Sequence, residues 1–351
     1  MRRCFRHLVL VLAGIAVLCG SGCAESNDGQ ATRTGEEGEP RLRIVCTVGM
    51  VTDVVRAVAG DRADVTGLLG SGVDPHLYKP TRSDIARMLE ADAIFYNGLL
   101  LEGRMTDSLV RAARGGKAVH AVTEGIDESF LLLPEGFEGH PDPHVWMDPG
   151  AWIETIGVVR EALVALDPEG EPAYRANADA YREQLEALDR YASRVLGTVP
   201  EAQRVLVTAH DAFNYFGRRF GYEVVGIQGI STESEAGVLD IEGLVDLLVE
   251  REIGAVFVES TVSTRNIEAL VSGTRSRGHT VVIGGELFSD AMGDPGTYEG
   301  TYLGMIDHNV TTIARALGGA APARGMSDRL SASSEPGVSP EPGAGMTEED
   351  G

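Results

Sequence analysis

Disulfides have almost nothing to work with in this chain. Of its four cysteines, Cys4, Cys19 and Cys23 fall at the extreme N-terminus, which leaves Cys46 alone in the body. A core stapled by intrachain bridges is therefore excluded. Basic residues are also scarce: 30 Lys and Arg stand against 53 Asp and Glu, a formal charge of −23. Such a chain repels nucleic acid and anionic lipid, so function classes built on a basic surface are set aside and no nucleic-acid partner is expected. We read the acidity as a solubility or salt-adaptation trait that carries no information about fold. Long apolar runs are missing too. The run Leu8–Leu18 is shorter than the ~20 residues a membrane helix needs.

That run does fit a shorter element. Arg2, Arg3 and Arg6 precede it and the small residues Gly20, Ser21 and Gly22 follow, which is the layout of a secretory signal peptide over residues 1–22. Cys23 after these small residues resembles a bacterial lipoprotein cleavage site, although Gly20 stands where such sites usually carry Leu. Lipidation of Cys23 is expected; the alternative is an ordinary secreted protein with a free N-terminal thiol. Loss of the three arginines takes the charge from −23 down by three, to −26. Residues 23–40 read as a flexible tether, and residues 318–351, rich in Gly, Pro, Ser and acids, as a disordered acidic tail.

Between these ends, short apolar runs alternate with amphipathic stretches. Strands are expected at Leu42–Thr47, Ala63–Leu69, Ala93–Tyr96 and Ala118–Val122, with helices near Val51–Val58, Thr81–Leu89 and Met105–Ala113. Thr81 followed by Asp84 is a plausible helix N-cap. A second series has strands at Arg204–Thr208, Glu223–Ile227, Ala255–Glu259 and Val281–Ile283, with helices near Ala212–Arg219, Ile241–Arg251, Arg265–Ser276 and Leu303–Leu317. The fold class is α/β: two βα lobes with mainly parallel sheets, at 41–166 and 200–317. The linking segment, 167–199, contains the longest periodic stretch. Tyr174, Ala178, Tyr181, Leu185, Leu188, Ala192 and Val195 recur at three- and four-residue spacing from Pro172 to Leu196. One helix of about 25 residues would run about 38 Å and back both lobes.

Chemistry concentrates in four side chains. In open α/β sheets the binding crevice lies beyond the carboxyl ends of the strands. His76 follows one strand through a Gly-rich loop, His210 ends another, and Asp290 follows a third. His144 sits in Asp142-Pro143-His144-Val145-Trp146-Met147-Asp148-Pro149, where two prolines predict a stiff, extended loop. Each lobe thus offers two of the four, which places a cation in the cleft between them. Three imidazoles and one carboxylate suit tetrahedral zinc; manganese would ask for more oxygen, which a bidentate Asp290 would supply. Taken singly, each histidine has a plain structural reading as well.

The segments Asp74–Thr81, Asp142–Asp148, Val207–Phe213 and Glu286–Gly293 resemble those of the metal-binding solute-binding proteins of bacterial ABC importers, the zinc/manganese family with the TroA-like fold. The resemblance covers essentially all of 41–317. It implies two lobes on a backbone helix, with metal held by His76, His144, His210 and Asp290. It also implies delivery of that metal to a membrane permease driven by a cytoplasmic ATPase. The expected location is periplasmic or cell-surface, anchored to the membrane by lipid on Cys23, and the expected state is a monomer. His210 leans toward zinc, since the manganese branch commonly has Glu there. The missing His-rich loop before His144 weakens a zinc-only reading.

His140, four residues before His144, is expected to be exposed, because Pro141 and Pro143 prevent a helix from aligning the two rings. Glu259 has two open readings, orienting a ligand imidazole or capping a helix before Ser260 and Thr261. Cys46 is expected to be a small buried hydrophobe. The rival function is a zinc-dependent hydrolase on the same three histidines, with Asp290 or Glu259 as base. No His-Glu-x-x-His helix or Gly-x-Ser-x-Gly elbow accompanies it. An adhesin-like surface role, assigned to some relatives, has no residues of its own here.

Overall fold

The computed structural model describes residues 41–331, apart from 136, 138 and 234–237. The expected signal peptide, Cys23, the tether and residues 332–351 lie outside the described residues.

The first lobe is built from β1 (Leu42–Cys46), α1 (Gly49–Ala59), β2 (Ala63–Gly67), α2 (Arg82–Glu90), β3 (Ala93–Tyr96), α3 (Thr106–Arg114) and β4 (Ala118–Ala121). Its four strands are all parallel, in the order β2-β1-β3-β4. Buried β1 residues Ile44, Val45 and Cys46 form the continuous apolar run expected of a central strand covered on both faces. Burial pushes the Cys46 thiol far up and keeps it un-ionised. At α2 the expected cap is a full capping box: Asp84 N donates to Thr81 Oγ1 at 3.2 Å, and Thr81 N donates to Asp84 Oδ2 at 2.8 Å.

Three helices follow: α4 (Pro149–Trp152), α5 (Thr155–Leu166) and α6 (Glu171–Leu196). The second lobe contains β5 (Val205–His210), α7 (Asn214–Phe220), β6 (Glu223–Gln228), α8 (Val238–Glu250), β7 (Ala255–Glu259), α9 (Arg265–Ser276), β8 (Val282–Leu287) and α10 (Tyr302–Ala316). Its strands pair in parallel as β5 with β6 and β7 with β8. All seven apolar positions read from the α6 periodicity are buried, joined by Tyr191 and Leu196. One continuous core runs from β1 and α1 through α6 to α10, so the lobes share part of their interior along the helix, while a second cluster from Val205 to Val281 fills the rest of the second lobe.

Four details depart from the sequence reading. The segment after His144 is not extended: Val145–Met147 makes one 3-10 turn and Pro149 opens α4. Pro143 and Pro149 constrain Asp142 and Asp148 before them but leave 145–147 free to turn. Pro149 sits at the first helical position, where its missing N–H costs nothing. Helix α5 went unread, although Ile156, Val159, Ala162 and Leu163 bury one face. Strand β8 extends through Gly284 and Gly285 to Leu287, where a loop was expected. A Cβ on Gly284 would meet the Phe257 ring at 2.9 Å, so only glycine lets the two strands pack there. Lastly, residues 318–331 pack as a strap where a tail was expected. Leu330 is buried, Met326 N donates to both oxygens of Asp307 at 2.9 and 2.8 Å, and Ser331 N donates to Glu299 at 2.6 Å. Among the described residues, no helix is long and apolar enough to cross a membrane.

Candidate metal centre

His76, His144, His210 and Asp290 meet in the cleft, with one donor atom from each lying within 4.8 Å of all the others. All four side chains are buried. His76 Nε2 lies 3.3 Å from His144 Nε2 and 3.5 Å from Asp290 Oδ2. His144 Nε2 is 3.3 Å from Asp290 Oδ1, and His210 Nε2 is 3.3 Å from Asp290 Oδ2. Donors 2.0–2.2 Å from a tetrahedral cation sit about 3.3–3.6 Å apart, and these four separations fall in that range, with Asp290 offering both of its oxygens. Both Asp290 oxygens and His210 Nε2 are buried without a hydrogen-bond partner. Such orphaned buried atoms are costly unless something else satisfies them.

Each histidine is held differently. His210 closes β5, and Glu259, at the end of the neighbouring β7, accepts its N–H at 2.8 Å and its Nδ1–H at 2.5 Å. This contact with the ring is the one that the first reading of Glu259, orienting an imidazole, calls for. His144 donates both its N–H, at 3.0 Å, and its Nδ1–H, at 2.7 Å, to the single oxygen Asp142 Oδ1. Asn214 donates to the other oxygen at 3.2 Å. These bonds leave Nε2 of both rings facing the cleft, the arrangement that fixes tautomer and orientation in metal sites. Asp74-Pro75-His76 repeats Asp142-Pro143-His144, yet here the carboxylate accepts only the backbone N–H, at 2.8 Å. Among the described residues, no carboxylate contacts His76 Nδ1. Its loop is tied across the cleft instead, by Thr232 donating to Asp74 Oδ2 at 2.5 Å.

Electrostatics follow from these partners. Burial opposes a charge on His144, but Asp142 and Asp290 outweigh it and hold the imidazole up at about 9. Burial likewise opposes charge on His210, and Glu259 and Asp290 still keep it well above the usual range. For His76 burial wins and the imidazole is pushed down to about 3. Burial would raise Asp290, yet His210 and His144 hold it well below the usual carboxylate range. The surrounding carboxylates thus favour positive charge at this point of the cleft.

His140 is exposed, faces Phe137 edge-on at 6.0 Å and is not among the converging donors. The remaining histidines serve the fold: His120 stacks on Phe95, while His279 and His308 contact the carbonyls of Ile253 and Glu286. Asp142 had no role in the sequence reading. The signal was an acid two residues before a histidine across a proline, close enough to hold both the backbone and the ring.

Two α/β lobes sharing a core along one helix, with nitrogen and oxygen donors converging between them, define a solute-binding protein whose solute is a cation. The family described as zinc-uptake complex component A, periplasmic, matches residues 44–316, and the chain belongs to it. Manganese-binding lipoprotein MntA of Bacillus subtilis (strain 168) is 44% identical over 283 residues, 81% of this chain and 92% of that protein. Zinc-binding protein TroA of Treponema pallidum (strain Nichols) is 46% identical over 281 residues, covering 80% and 90%. The solved structure of the periplasmic zinc-binding protein TroA from Treponema pallidum superposes with a TM-score of 0.76 at 45% identity, over 79% of this chain and 99% of that one. The fold is thus TroA-like, and the family is one of solute-binding proteins, not enzymes. The hydrolase reading finds no support, and Glu259, one of its two candidate bases, is hydrogen-bonded to His210.

Proposed function

We propose that this chain is the extracytoplasmic receptor of an ABC metal importer. It takes one Zn²⁺ or Mn²⁺ on His76, His144, His210 and Asp290 and passes it to a membrane permease driven by a cytoplasmic ATPase. The observation that carries the reading is the convergence of four buried donor residues on one point of the cleft, with both Asp290 oxygens lacking a hydrogen-bond partner. All four positions being protein atoms suits capture, because a catalytic metal keeps a position open.

The donor set accommodates either cation. Three imidazoles with one Asp290 oxygen make a zinc site; bringing in the second oxygen raises the coordination number toward what manganese prefers. The two relatives above divide the same way, one being a manganese-binding lipoprotein and the other a zinc-binding protein. Relatives that are lipoproteins, one of them a substrate-binding lipoprotein of an ABC transporter, support an anchor at Cys23 and a place outside the cytoplasm, where the chain would act as a monomer. The test equilibrates metal-free protein (residues 24–351) with limiting, equal zinc and manganese, then measures bound metal by mass spectrometry. One equivalent, lost in His144→Ala, is expected. No stoichiometric metal in the unmodified protein would sink the receptor reading.

A further inference from the structure

Outside the three imidazoles it faces, no side chain is hydrogen-bonded to the Asp290 carboxylate among the described residues. Asp142 fixes His144 and Glu259 fixes His210, whereas both Asp290 oxygens are buried without a hydrogen-bond partner. The position of Asp290 is set through its backbone instead. Phe288, two residues earlier, is pinned by Asn309, which accepts from its N–H at 2.9 Å and donates to its carbonyl at 2.7 Å. Ser289, the residue directly before Asp290, has its carbonyl held from the opposite lobe by the indole N–H of Trp146 at 2.8 Å.

Trp146 is fully buried and touches the site twice. Its ring meets the His144 imidazole edge-on, with centroids 5.2 Å apart, and its N–H crosses the cleft to the Asp290 loop. Its own carbonyl is fixed by Tyr302 Oη at 2.7 Å, so the indole is held from behind. One rigid side chain thus connects a donor of the first lobe to the backbone carrying the donor of the second.

From this geometry we infer that Trp146 is a positioning residue that sets how both Asp290 oxygens face the ion, and thereby tunes manganese against zinc retention. The inference rests on the metal-receptor reading above. Zinc is satisfied by three imidazoles and a single oxygen, so small shifts of Asp290 matter less to it. Manganese draws more on the carboxylate and loses more when that group turns. Trp146→Phe keeps an aromatic ring against His144 but leaves the buried Ser289 carbonyl without its donor.

The experiment measures Mn²⁺ and Zn²⁺ dissociation by chelator chase from wild-type protein, Trp146→Phe and Trp152→Phe. Trp152 is the natural control, being buried and stacked on Tyr302 with no partner for its indole N–H. Mn²⁺ should leave Trp146→Phe about tenfold faster, the scale expected for orphaning one buried carbonyl. Zn²⁺ should change clearly less, and Trp152→Phe should match wild type for both ions. Equal acceleration of both ions, no acceleration, or the same shift in Trp152→Phe would overturn the inference. Wild-type protein that holds neither ion would instead overturn the receptor reading beneath it. Should Trp146→Phe fail to fold, hydrogen exchange at the Trp146 indole N–H, followed by NMR in wild-type protein, decides. Zinc loading should slow it; unchanged exchange overturns the inference.

Discussion

Replacing Glu259 by glutamine tests how the site is held without removing a donor. Glu259 is 2% exposed and receives two bonds from one residue, the His210 N–H on one oxygen and the ring Nδ1–H on the other. A glutamine accepts through one atom only, so its NH₂ must oppose one of these N–H groups inside a dry pocket. Hydrogen bonds to a charged group are worth about 1.5–3 kcal/mol. Changing such a supporting partner typically costs 10–100-fold in metal affinity, about 1.4–2.8 kcal/mol. The two routes agree, so Glu259→Gln should weaken zinc binding by between one and two orders of magnitude. Asp142→Asn provides the contrast. Both bonds from His144 land on Oδ1 alone, and an asparagine oxygen keeps them, while Asn214 on the other side can turn its amide to follow. Its loss should be the smaller of the two. Zinc affinity would be read by competition with a chelator of known strength, with thermal melts to confirm intact folding. Glu259→Gln within about threefold of wild type, or a larger loss in Asp142→Asn, would refute the account of how these rings are oriented.

Metal uptake should expel protons: His144 and His210 are held protonated near pH 7, His76 is not, and a ligand imidazole must be neutral. About two protons per ion are expected from calorimetry in buffers of different ionisation heat, with affinity rising from pH 6 to 9. At the acid end, Asp167 is held down at about 2, chiefly by its bond from Arg62. A carboxyl lowered on folding stabilises above its unfolded value and loses that contribution as pH falls through the folded one. Melts of metal-free protein between pH 4 and 2 should therefore be flatter in Asp167→Asn than in wild type. Truncation after Leu317 removes Met326 and Ser331 from Asp307 and Glu299 and uncovers the pocket of Leu330. The melting temperature should drop by about 5–10 °C, the shift expected when a buried carboxylate loses its donors; an unchanged melt would show that the strap only decorates the surface.

What could be read beforehand had local causes. The α6 stripe is periodic, the α2 box is a two-residue signature, and three of the four converging side chains stand at or just beyond a strand's carboxyl end. The resemblance of four ordered motifs supplied the rest of the site. What could not be read depended on distant partners. Gly284 and Gly285 look like a loop until the Phe257 ring beside the first, and the positive φ and Thr312 at the second, demand their bareness. The strap has no periodicity, because its hold is one buried leucine and a handful of bonds to Asp307, Glu299, Thr198 and Arg315. Asp142 was visible as part of a motif, but its double bond to His144 depends on a turn that proline rules alone did not give.

The core that both lobes share along α6 bears on how a membrane partner would tell the loaded receptor from the empty one. Lobes joined by a common stretch of core resist swinging shut as jaws, which weakens the largest shape signal such a protein could send. What is left to recognise is the fine arrangement of loops at the mouth of the cleft, where His76 and its Asp74–Thr232 tie lie.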